Sequence, residues 1–381
     1  MGLEVIEYLA GEIGVRFSGT PAEVQAVDYI AEQFRTIGLE TRVEPFQFLG
    51  WELEGEPVLR LTGPVAERIP CFAFVYSPST PPGGFELPVR KMGKTEVLKG
   101  INSDKFALID PATGQECAHV IVRMDGPGCS MPLADPQLAV PTVMVGGEEA
   151  LAFERLAGAH PDLKARLSLS ARLEPGARSY NVLATLPGRG SGKAVLVTCH
   201  HDTEYNCPGA VDNASGVQGV IELARRLAQN PPQRTVHFAA FGAEELMLLG
   251  AKHHCRHLKE TGAIKDIDAV VNLDMIACNS PTWINVTQDV KEFKVRVARV
   301  FERFGVFERF GDVRWELPPW PTSDHAPFTE AGIPTLFVSY EGQRYPHLHL
   351  PTDTVDKIDK ELLDLSINCV DGILQDLCQT P

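Results

Sequence analysis

Val24, Val27, Ile30, Ala31 and Phe34 recur with a helical period across residues 22–37, with Thr20 placed to cap the start and Gly38 to stop the end. The pattern predicts an amphipathic helix. From about 51 to 177 the texture changes to short apolar runs, at 72–76, 106–109, 119–123 and 142–145, punctuated by Pro and Gly. This stretch reads as a separate β-rich domain. From Tyr180 onward, strands at 194–198, 235–241, 269–273 and 335–339 alternate with helical patterns near 214–229, 245–258, 290–304 and 357–377. Alternation of this kind builds an α/β sheet, here interrupted by the β-rich stretch. No repeat or low-complexity tract appears.

Composition narrows the class. The 381 residues, 44% hydrophobic and 22% charged, are those of an ordinary globular chain. With 35 Lys and Arg against 50 Asp and Glu, the net charge of −15 sets the chain against nucleic acid and anionic membrane surfaces. No apolar run approaches the ~20 residues of a membrane span. The acidic start, Met1-Gly-Leu-Glu-Val-Ile-Glu, lacks the basic region of a signal peptide, so a cytoplasmic protein is expected. Nine Cys, an odd number without a CxxC pair, suit reduced thiols packed as small hydrophobes.

Polar residues just past the strand ends carry the chemistry: His200-His-Asp202, Asp212-Asn213, Glu244-Glu245, Asp274 and His349 to Asp353. Open α/β sheets place their sites there. A single acid at a strand end is ordinarily a cap or a solvated loop residue, but five such positions in series form a pattern. Imidazoles and carboxylates suit zinc and related divalent ions. Two His and three acids can hold two ions if one carboxylate is shared, leaving room for a water between them. Strand alternation puts His200 and Asp202 on one face, where Asp202 can orient the imidazole, and turns His201 into the packing. At the predicted helix start, one of Glu244 and Glu245 can ligate and the other take a proton.

The stretches Cys199-His-His-Asp-Thr, Gly209-Ala-Val-Asp-Asn-Ala-Ser-Gly, Ala243-Glu-Glu, Asn272-Leu-Asp-Met, Ser323-Asp-His-Ala-Pro-Phe and His349-Leu-Pro-Thr-Asp-Thr resemble the successive motifs of the di-zinc aminopeptidases of peptidase clan MH. Arg16-Phe-Ser-Gly-Thr resembles that family's amino-terminal element. Residues 51–177, through Phe106-Ala-Leu-Ile-Asp and Val140-Pro-Thr-Val-Met-Val, are similar to its protease-associated domain. The resemblance implies a mixed-sheet α/β/α exopeptidase domain from 1–50 and 178–381, with 51–177 inserted. Two zinc ions and peptide substrates cleaved at the amino-terminal bond would go with it. His200 and Asp274 would hold one zinc, Glu245 and His349 the other, with Asp212 bridging. Glu244 would be the general base, Asp202 would orient His200, and Asn213 would support the bridge. The family's spacing, a His four residues before the Asp of an Asp-Thr pair, selects His349 over His347. Some members place a Tyr before that His to stabilise the oxyanion, whereas this chain has Leu348. Tyr340, Tyr345 and His347 are the candidates for that role, and Asp324 and His325 for lining the substrate pocket.

Three rivals accompany this reading. A glutaminyl-cyclase-like transferase would not use the bridging pattern of Asp212-Asn213 and His200. A carboxypeptidase of the same clan would want cations near the site, for which Arg344 is a candidate. A metal-free binding homologue would ordinarily have lost ligands that are all present here.

Overall fold

The computed structural model describes residues 2–98, 101–123, 138–278, 282–286, 291–310, 323–340 and 345–378. The chain divides into two compact units, Met1–Phe48 with Arg178–Pro381, and Leu49–Ala177. Strands are numbered in chain order.

The larger unit is built on a seven-stranded sheet. Its members are β1 (Glu40–Leu53), β10 (Ala171–Leu186), β11 (Ala194–His200), β12 (Val236–Phe241), β13 (Ile267–Leu273), β14 (Thr282–Val286) and β15 (Thr335–Tyr340). Their order is β1-β10-β12-β11-β13-β15-β14. The central strands β12, β11, β13 and β15 run parallel, while β10 and β14 pair antiparallel on either side, giving a mixed sheet. Every residue of β11 is buried, which is why this strand reads as an unbroken apolar run rather than an alternation. Val195, Val197 and Cys199 face a core shared with the helices Pro21–Ile37, Ser215–Gln229, Lys291–Arg303 and Lys360–Cys378. Leu196 faces a second core, with Ala251 and Cys255 of the helix Leu249–Thr261. The result is an α/β/α sandwich.

Local signals explain the element ends. The Thr20 side chain accepts from the Glu23 amide at 3.3 Å, and Gly38, at φ 90°, closes the same helix. The helix expected at 245–258 instead begins at Leu249, because Ala243, Met247 and Leu248 take left-handed φ of 53°, 72° and 63°. Glu244 and Glu245 therefore lie on a tight turn and not in a helix's first turn.

The smaller unit carries an eight-stranded sheet of β2 (Val58–Thr62), β3 (Glu67–Ile69), β4 (Phe72–Ala73), β5 (Phe85–Leu98), β6 (Ile101–Ile109), β7 (Glu116–Arg123), β8 (Thr142–Gly146) and β9 (Lys164–Ser168), in the order β3-β2-β9-β5-β6-β7-β8-β4. The helix Gly147–Ala159 buries Phe153 edge-on against Phe106. The apolar run at 72–76 forms a strand only through Ala73, since Tyr76 turns the chain at φ 67°. The eight cysteines among the described residues are free thiols, and no helix among these residues is long and apolar enough to cross a membrane.

Candidate metal-dependent active site

Parallel strands bring their carboxyl ends to one edge, and the predicted ligands gather there. His200 closes β11, Glu244 and Glu245 follow β12, Asp274 follows β13, and His349 lies in the loop after β15. His200 Nε2 is 3.2 Å from Asp212 Oδ1 and 3.4 Å from Asp274 Oδ1. His349 Nε2 is 3.3 Å from Asp212 Oδ2 and 3.2 Å from Glu245 Oε2. The two oxygens of Asp212 thus address two different imidazoles. Three groups have donor atoms close enough to share an ion: His200 with Asp212 and Glu245, His200 with Glu244 and Asp274, and Glu204 with Glu245 and His349. Sequence reading missed Glu204. Its only signal was its place two residues beyond Asp202, on the same loop.

Buried hydrogen bonds fix these donors. Asp202 Oδ1 accepts from the Glu244 amide at 3.1 Å and lies 3.6 Å from His200 Nδ1, while Oδ2 accepts from the Glu245 amide at 3.3 Å and the Ser18 hydroxyl at 3.0 Å. One carboxylate therefore faces the imidazole and pins the acidic turn. Asn213 donates to the Leu273 carbonyl and accepts from the Gly216 and Met275 amides, tying the Asp212 loop to the end of β13. Gly209 sits at φ 62°, and a Cβ there would lie 2.2 Å from the Asp212 carbonyl. Arg16, fully buried, donates to the carbonyls of Leu9, Gly14, His201, Pro208 and Gly209. Burial lowers its pKa to about 10, so it stays cationic at neutral pH, beside Asp202, Asp212 and Asp353. His201 donates Nδ1–H to the Phe241 carbonyl at 2.8 Å, and burial lowers its pKa to about 4.

The electrostatics ask for more positive charge than the protein supplies. Burial, reinforced by Glu245, Asp324 and Asp274, pushes the Glu244 carboxyl well above the usual range. Burial opposes a charge on His200, but the carboxylates of Glu244, Asp274, Asp202 and Asp212 outweigh it and raise its pKa well above normal. Asp274 Oδ1 and both oxygens of Asp324 are buried without a hydrogen-bond partner. Clustered carboxylates facing two imidazoles are the donor set of a divalent cation such as zinc, so the residues fit a metal.

Four expected substrate or oxyanion contacts are placed otherwise. Tyr345 is buried and donates its hydroxyl to Asp353 Oδ1 at 2.7 Å, and Tyr340 donates to the Leu362 carbonyl at 3.2 Å; neither presents a free hydroxyl to a substrate. Asp324 is wholly buried, and the His325 ring stacks on Phe337 at 4.6 Å. His347, whose Nδ1 lies 2.9 Å from the Thr352 hydroxyl, remains accessible, and Leu348 packs beside Tyr345. Arg344 lies outside the described residues.

His325 carries a pH prediction. Burial lowers its pKa from 6.5 to about 3, so its neutral form stabilises the fold above pH 6.5, and that stability is lost as the pH falls toward the folded value. Across pH 6.5 to 4 the expected loss is about 3 kcal/mol. His325→Phe should flatten the fall in unfolding free energy over this window by that amount; urea melts with equal slopes in the two proteins would refute it.

Known proteins resemble this chain in sequence and fold. Residues 181–370 match the model of peptidase family M28. The chain is 28% identical over 385 residues to aminopeptidase YwaD of Bacillus subtilis, covering 94% of this chain and 80% of that protein. The crystal structure of BSAP, a zinc aminopeptidase from Bacillus subtilis, superposes with a TM-score of 0.74 at 25% identity, covering 99% of this chain and 94% of that one. A peptidase M28 precursor from Shewanella amazonensis shares the fold, with a TM-score of 0.81 at 18% identity, 99% of this chain and 93% of that one. Residues 181–370, which carry the strand ends and the donors gathered there, belong to peptidase family M28.

Proposed function

We propose that the chain is an aminopeptidase that holds two zinc ions and removes the amino-terminal residue of peptides. The observation that carries this reading is the Asp212 carboxylate, one oxygen toward His200 and the other toward His349. A shared carboxylate between two imidazoles serves two ions, with Asp274 completing the His200 side and Glu245 the His349 side. Zinc held by these residues would polarise the scissile carbonyl and lower the pKa of the attacking water toward ~7. Glu244, on the turn pinned by Asp202, receives the water's proton on its carboxylate and passes it to the leaving amine. Asp202 keeps His200 and the acidic turn in register during that transfer. Peptides are the expected partners, and the anionic surroundings welcome a substrate's ammonium.

The test is a panel of amino-acyl anilides and dipeptides offered to zinc-loaded protein, with elemental analysis of the same sample. Release of the amino-terminal residue and two zinc ions per chain are expected. One tight ion in fully active protein would overturn the two-ion reading.

A further inference from the structure

The bridging position depends on Asp353, four residues beyond His349 and unused by the chemistry above. Asp353 is wholly buried and grips three consecutive amides at the start of the Asp212 loop. Its Oδ1 accepts from the Val211 amide at 3.0 Å, its Oδ2 from the Asp212 amide at 3.0 Å, and its carbonyl oxygen from the Ala210 amide at 3.2 Å. The Tyr345 hydroxyl completes the set by donating to Oδ1. Asp353 in turn is folded back by its own amide, which donates to the Leu350 carbonyl at 3.0 Å, within the same loop as His349.

We infer that Asp353, oriented by Tyr345, is the positioning residue for the shared metal ligand, locking the Asp212 carboxylate to the loop that carries His349. Two ligands more than a hundred residues apart in sequence are thereby held by one side chain. Tyr345 works through Asp353 and does not act as an oxyanion donor. The inference rests on the reading of Asp212 as the shared ligand of two ions.

Zinc affinity, measured by chelator competition on the full chain, tests it without substrate. Asp353→Asn keeps the shape but presents an amide to donors, and should weaken the looser zinc site by about 10–100-fold, the usual effect of losing an outer partner of a metal ligand. Tyr345→Phe should weaken it in the same direction by less, and activity lost at limiting zinc should return with excess zinc at unchanged KM. A Tyr345→Phe protein with wild-type zinc affinity and a lowered kcat at saturating zinc would overturn the inference and return Tyr345 to the oxyanion role. If Asp353→Asn does not fold, Tyr345→Phe decides alone, since the Val211 and Asp212 amides still donate to Asp353 in that variant. Wild-type protein that saturates with one zinc overturns the shared-ligand reading itself, whereas two sites untouched by both substitutions overturn only the clamp.

Discussion

Replacing Glu244 by Gln is expected to cut turnover by about 10²–10⁴-fold, the range for loss of a positioned acid–base group, with zinc content unchanged. The substitution conserves shape and the backbone bond from residue 244 to Asp202, so the acidic turn keeps its place. What disappears is the oxygen that can take a proton. The neighbouring residue supplies the control, because Glu245 lies 3.2 Å from His349 and is read as a ligand; Glu245→Gln should release metal. The structure gives this comparison an edge, since Glu244 also lies within reach of an ion shared by His200 and Asp274. Should Glu244→Gln shed zinc and Glu245→Gln keep it, the two roles are exchanged.

Acetylating the amino terminus of a good substrate should nearly abolish its cleavage, and amidating its carboxyl terminus should change little. A chain-end peptidase must pair the terminal charge it recognises in a partly dehydrated site, where an unpaired charge costs about 3–5 kcal/mol, roughly 10²–10⁴-fold. Carboxyl groups crowd this edge of the sheet, and the buried cation Arg16 is fully engaged with backbone carbonyls. An ammonium is the guest such a site accepts. Acetylated peptides cut at the free-peptide rate, with amidated ones resistant, would identify a carboxypeptidase. Pyroglutamate released from amino-terminal Gln would identify a cyclase.

Much of this was legible in the sequence for physical reasons. The parallel strands β11, β12, β13 and β15 are buried on both faces, so they read as apolar runs, and their polar successors marked the site. Donor chemistry pointed to the imidazoles and carboxylates past the strand ends, and the resemblance picked out His200, Asp212, Glu245, Asp274 and His349 among them. The turn at 243–248 was not legible, because it places three non-glycine residues in left-handed conformation and is anchored by distant groups, among them Ser18, whose hydroxyl accepts from the Ala243 amide. Glu204 and the grip of Asp353 were hidden for a similar reason. A carboxylate that bonds to backbone amides 141 and 142 positions away leaves no periodicity. Tyr345 looked like a substrate contact because a tyrosine near a catalytic loop suggests a free hydroxyl, and only packing reveals that the hydroxyl is engaged.

The ligands arrive from four separate strand ends, between His200 and His349, and no short segment contains a complete set. Bringing such distant donors together in an unfolded chain would carry a loop-closure cost for every closure, so a partly folded chain offers an ion little more than scattered acids. Assembling the central sheet meets that cost before any ion arrives. The donor set therefore exists only once the central sheet has closed, and a chain whose sheet is open lacks the machinery described above. An exopeptidase built this way is protected from acting on its surroundings while it is still being made.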